Sequence, residues 1–182
     1  MNTLIFRCLF LFSILISSAQ AATVYSVELL VFSRDHTPSS VETWPELPLP
    51  SSGIELGQGS YQELSNSSFF LSNTDQRIRN AGGMRVLFHK VWSQPVINGR
   101  SSQPIRIQAG RLMEDGQYEL SGTVTMDRGK YLHFKPDLQF RRSLGSSVIT
   151  AQIAEPRRMK SLESHYLDNP LFGIIVYARP LN

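Results

Sequence analysis

Cysteine is all but missing. Cys8 is the only one in 182 residues, so the chain can form no internal disulfide and offers no paired-thiolate metal site. Long apolar runs are missing too: the longest, residues 8–16 (CLFLFSILI), is roughly half of the ~20 residues a spanning helix needs. Neither sign of charge dominates. Eighteen Lys and Arg stand against 15 Asp and Glu, a formal net charge of +3, which is too little to argue for nucleic acid. Lysine is scarce: after residue 21 there are four lysines to 13 arginines, and arginine suits bidentate contacts to carboxylates and stacking on flat groups. The glycine-rich phosphate and dinucleotide fingerprints, Gly-x-Ser-x-Gly and His-Glu-x-x-His are absent as well.

What is present begins with a leader. Arg7 precedes the short apolar run, and small residues follow it, ending in Ala19-Gln20-Ala21. This order predicts a secretory signal peptide over residues 1–21, cleaved after Ala21. The rest, 22–182, is expected to be a single exported domain, not membrane-spanning after cleavage, folded by packing alone and without a cofactor.

Val24 to Phe32 (VYSVELLVF) reads as a central strand, apolar on both faces. Residues 35–68 form a long loop rich in Pro, Ser and Gly, with Pro38, Pro45, Pro48 and Pro50 excluding a helix or an inner strand. Trp44 there either pins the loop to the domain or offers a stacking surface. Asn73 and Gln76 predict a short helix from an Asn73 cap to about Ala81, stopped by Gly82-Gly83. Met84 to Trp92 is the next strand, with Val86, Phe88 and Trp92 expected on one face and Leu87, His89 and Val91 on the other. Strands are then predicted at 105–109, 118–126, 131–134, 148–154 and 172–178, the last bounded by Pro170 and Pro180. Turns are predicted at Asp115-Gly116, 127–129 and 141–145, and 162–166 fits a short strand or a helix. The expected fold is a β-rich α+β domain: a mostly antiparallel sheet of six or seven strands with one or two short helices.

Candidate chemistry is thin. His36, His89, His133 and His165 show no metal-ligand spacing. Ser161, His165 and Asp168 share one short segment, whereas catalytic triads gather residues from separate elements. Glu114, Asp115 and Glu119 frame a turn, where acids are expected to be ordinary solvated groups. The unusual stretch is 155–180, which holds the basic cluster Arg157, Arg158 and Lys160 followed by His165-Tyr166. That cluster either holds an anionic group or is a basic turn packed under its own loop.

Four stretches carry a resemblance: Tyr25 to Phe32; Arg85 to Pro95 (RVLFHKVWSQP); Gly122 through Tyr131-Leu132-His133; and Arg157 to Ser161 with His165 to Gly173 (HYLDNPLFG). Together they resemble the CsiV family of periplasmic peptidoglycan-binding, cell-shape proteins of Gram-negative bacteria. Asn169 and Lys130 stand where the family pattern leads one to expect histidine and arginine. The resemblance implies a non-catalytic periplasmic protein that binds peptidoglycan and supports cell-wall synthesis and cell shape, with components of the class A penicillin-binding protein machinery as further partners. The residues expected to meet the ligand are Arg157, Arg158, His165 and Tyr166, with Tyr131 and His133. The arginines would pair with stem-peptide carboxylates, and Tyr131 and Tyr166 would stack on sugar faces. Trp92 fits either that role or the core, and Phe172 is expected in the core. The alternative is a β-rich envelope adaptor that binds a protein partner rather than the wall itself, through exposed strand edges.

Overall fold

The computed structural model describes residues 22–35, 53–145 and 147–181. The expected signal peptide, His36, Trp44 and the four prolines of the loop lie outside the described residues. The elements, in order, are β1 (Thr23–Arg34), β2 (Gln62–Glu63), a 3-10 turn (Asn66–Ser68), α1 (Ser72–Asn80), β3 (Met84–Val96), β4 (Ile105–Leu112), β5 (Tyr118–Arg128), β6 (Leu132–Leu144), β7 (Ser147–Ile153), β8 (Arg157–Met159), β9 (Ser164–Asp168) and β10 (Phe172–Leu181). The β-rich α+β class read from the sequence is the class observed. The strands divide into two antiparallel sheets, β2-β3-β1-β10-β9 and β4-β5-β6-β7, with β8 also paired to β6.

The sheets pack face to face. Val27, Leu29 and Val31 of β1 and Ile174 and Val176 of β10 meet Ile107, Val124, Phe134 and Phe140 of the second sheet in one core. The other face of the first sheet is covered by α1, where Leu30, Phe32 and Tyr177 enclose Leu71 and Ile78. β1 is therefore buried on both faces, which accounts for its largely apolar sequence. Trp92 is 0% exposed, and its indole Nε1–H donates to Gln94 Oε1 at 2.7 Å. It belongs to the core and cannot stack on a sugar.

Three local expectations change. A bulge opposite Val31 and Phe32 gives β3 an extra residue. It turns Val86 toward the α1 side and Leu87 into the inner core, so Val86 does not share a face with Phe88 and Trp92. β6 runs on through the expected turn at 141–145 to Leu144. Its Pro136 is tolerated because the flanking partner changes there: β8 pairs with 132–134 and β7 with 138–144, leaving position 136 unpaired on that side. β10 likewise continues through Pro180 to Leu181, at its end. Part of the loop at 35–68 is ordered: Tyr61 is buried, its hydroxyl accepts from the Gln103 N–H at 3.1 Å, and Ile54 bridges to Ile105.

The helix begins at Ser72, with Leu71 rather than Asn73 at the cap position and no side-chain cap. Its N-terminus is met from the sheet instead. The Glu28 carboxylate accepts from the N–H groups of Phe70 (2.7 Å) and Leu71 (3.0 Å), a placement that also suits the positive end of the helix dipole. His89 lies between two carboxylates, with Nε2 2.8 Å from Glu28 Oε1 and Nδ1 3.2 Å from Asp75 Oδ1. Arg79 grips Asp75 through Nε (2.7 Å) and Nη2 (3.1 Å).

Burial alone would raise the pKa of Asp75, but the Arg79 hydrogen bonds and the charges of Arg79 and His89 prevail and hold it below 3.8. A carboxyl depressed in the folded state contributes stability that is full above its unfolded pKa and is lost as pH falls through the folded one. Acid should therefore loosen α1 from the sheet below about pH 3.8. The Asp75→Asn variant should show a shallower loss of stability there, read as denaturation midpoint against pH.

Candidate functional site

At one end of the sandwich the two sheets separate around a recess of about 580 Å³. Its walls are the end of β1 (Ser33, Arg34) and the following Asp35, the start of β3 (Met84, Arg85), the β4–β5 hairpin (Arg111 to Glu114, and Glu119) and β6 (Phe140, Arg142). Four arginines line it: Arg34, Arg85, Arg111 and Arg142. They come from four different strands, so only the tertiary fold assembles the group.

Each arginine is held differently. Arg85 Nη2 lies 2.6 Å from Glu119 Oε2, tying β3 of the first sheet to β5 of the second. Glu119 also accepts from the Arg111 N–H at 2.9 Å and is only 9% exposed. It is an organising residue of the recess, not the solvated turn acid expected. Gly110 makes that possible: it sits at a left-handed φ of 82°, and a Cβ there would lie 2.7 Å from Glu119 Oε2. The irregularity it creates in β4 leaves the Arg111 side chain 77% exposed, with Nε 3.8 Å from Glu119. Arg34 pairs with Asp168 at 2.6 Å, donates to the Asn169 carbonyl at 3.1 Å and to the Tyr166 hydroxyl, and lies near the Phe32 and Tyr166 rings. Arg142 donates to the Arg34 carbonyl and rests over Phe140.

The residues singled out in the sequence do not form one site. Tyr166 meets Arg34, one of the recess arginines, but does not itself line the recess. His165, on the opposite face of β9, accepts from the Lys160 N–H at 3.1 Å and serves its own turn. Tyr131, His133, Arg157 and Arg158 gather on the β5–β6 hairpin and β8. There Arg158 lies 4.6 Å from the Tyr131 ring centre, and His133 Nδ1 is 3.1 Å from Asp127 Oδ1. Ser161, His165 and Asp168 form no triad, since the Asp168 carboxylate faces Arg34 and Tyr166. Among the described residues no group of three or more His, Cys, Asp and Glu is placed to hold a metal ion. Around His89 the two carboxylates lie on opposite ring nitrogens and cannot converge on one.

Guanidinium groups spread over the wall of an open recess, with Met84 and Leu112 beside them, suit a ligand bearing carboxylates on a partly aliphatic frame. The fold and recess thus define a class: a two-sheet antiparallel β domain with a charged, arginine-lined recess open at one end. The chain belongs to the CsiV family, described as peptidoglycan-binding proteins, whose family model matches residues 48–181. Three of the four stretches that carried the resemblance fall inside that range; the opening strand precedes it. The description points to a place in the cell envelope, and among the described residues no helix is long and apolar enough to cross a membrane. No curated protein and no solved structure matches the chain.

Proposed function

We propose that this chain is a non-catalytic peptidoglycan-binding protein of the periplasm that supports cell-wall synthesis and cell shape, and that it grips stem-peptide carboxylates in the arginine-lined recess. The observation that carries this reading is the convergence of Arg34, Arg85, Arg111 and Arg142 on one recess, in a chain whose family is described by peptidoglycan binding. Each contact is weak alone, but a polymer with repeated stems supplies avidity. Components of the class A penicillin-binding protein machinery would act with it at the wall.

Co-sedimentation of the purified protein with protein-free sacculi, across a salt series, tests this. Arg111→Glu should weaken sedimentation by about tenfold, the scale of one lost charge-assisted hydrogen bond. Charge reversal at Arg157 and Arg158 should matter less. If the second pair abolishes sedimentation while Arg111→Glu does not, the binding face is the β8 edge. Failure of the wild-type protein to sediment would favour the adaptor reading. That reading has its own support in Leu144 and Val148, both exposed at the β6–β7 hairpin on an open sheet edge.

A further inference from the structure

The charges of the recess are not all answered within it. Glu119 occupies Arg85 and touches Arg111, and Asp168 occupies Arg34. Two further carboxylates line the recess, Asp35 after β1 and Glu114 on the β4–β5 hairpin, and neither has a side-chain ion-pair or hydrogen-bond partner among the described residues. Both are exposed residues and share the lining of the recess with the exposed Arg111 guanidinium and with Met84 and Leu112, the latter 64% exposed. A site made only for anions gains nothing from two unpaired acids, which repel them.

We infer that the recess recognises a zwitterionic head, an ammonium and a carboxylate on one carbon, at the end of an aliphatic chain. Arg111 takes the carboxylate, Asp35 and Glu114 take the ammonium, and Met84 and Leu112 receive the chain. This rests on the reading of the recess as the wall-binding site, and it narrows the ligand. The diamino acid of a peptide stem presents such a head only while its side-chain amine is free. Cross-linking converts that amine to an uncharged amide, leaving Asp35 and Glu114 unanswered. The domain therefore selects stems that are not yet cross-linked.

The test is an NMR titration of the purified protein with diaminopimelic acid and with pimelic acid, which has the same two carboxylates and chain but no amines. Diaminopimelate should bind about tenfold more tightly, one added charge-assisted contact, and should shift the amides of residues 33–35, 83–85 and 111–114. In the Asp35→Asn/Glu114→Gln variant that preference should vanish while pimelate binding persists, which a merely misfolded variant would not show. Equal or tighter binding of pimelate by the wild-type protein overturns the inference and leaves the carboxylate-gripping recess intact. Absence of shifts at the recess with either acid, in a protein that still sediments with sacculi, overturns both the inference and the placement of the wall-binding site.

Discussion

Gly122→Ala should be the most damaging single substitution in the domain, lowering stability by about 4 kcal/mol or more and leaving little folded protein at 37 °C. Gly122 lies mid-β5, opposite Ile107 on one side and Leu138 on the other. Its φ is 145°, a backbone region essentially closed to L side chains, and a Cβ there would stand 2.0 Å from the Asp137 carbonyl oxygen and 2.9 Å from Leu138 Cα. Both obstacles are backbone, so no rotamer change relieves them. Relief needs β5 and β6 to part, which opens the core where Leu120, Val124, Phe134 and Phe140 meet. Gly116→Ala is the control: its φ is 78°, but nothing lies within 4 Å of the added carbon. It should cost only the local strain, about 1–2 kcal/mol. Thermal and urea denaturation of the two variants separate collision from strain, and equal losses would refute the collision account.

Glu28→Ala should come second, at about 3–5 kcal/mol. The Glu28 side chain is 1% exposed and answers three donors: two backbone N–H groups at the helix start and His89. Removing it strands all three in a poorly hydrated place and leaves His89 with Asp75 alone. Glu28→Gln keeps the shape and one acceptor oxygen, and should fall between wild type and alanine. The damage should be regional: hydrogen exchange at residues 70–80 should accelerate, while the second sheet keeps its protection. If Glu28→Ala melts like wild type, the cluster is not what docks α1. A Glu28→Leu/His89→Leu pair, which removes the ion pair whole, should recover part of the loss.

The strands were legible where one rule governed them. β5 and β7 follow simple alternation, with Leu120, Val124 and Met126 or Ile149, Ala151 and Ile153 pointing inward, and apolar residues on both faces of β1 marked it as central. Legibility ended where a neighbour changed the rule. Pro136 looks like a strand breaker until it is seen that β7 and β8 share one flank of β6 and leave its position unpaired. Val86 changes face because of a bulge, and no local pattern announces it. The recess was illegible for a further reason: its arginines lie at positions 34, 85, 111 and 142, each ordinary in its own segment. The basic run at 157–160 drew attention because it is contiguous, yet neighbours along a strand point to opposite sides and do not pool their charge. One signal was available: Glu28 is the one carboxylate in the largely apolar central strand β1, and a buried carboxylate needs partners from elsewhere.

β1 and β10 pair along almost their whole length, from Val24 with Leu181 to Ser33 with Phe172. The first and last strands among the described residues are thus adjacent within one layer. Until β10 arrives, β1 lacks a partner on one edge and half the wall of the core is missing, so no N-terminal fragment can reach the native arrangement. Joining segments about 150 residues apart is also slow, because the chain entropy is lost before the contacts reward it. The domain is therefore a late and slow folder, and a chain with that property stays threadable. If the chain is exported unfolded, as the proposed periplasmic role requires, such delay keeps the export route open until β10 has emerged.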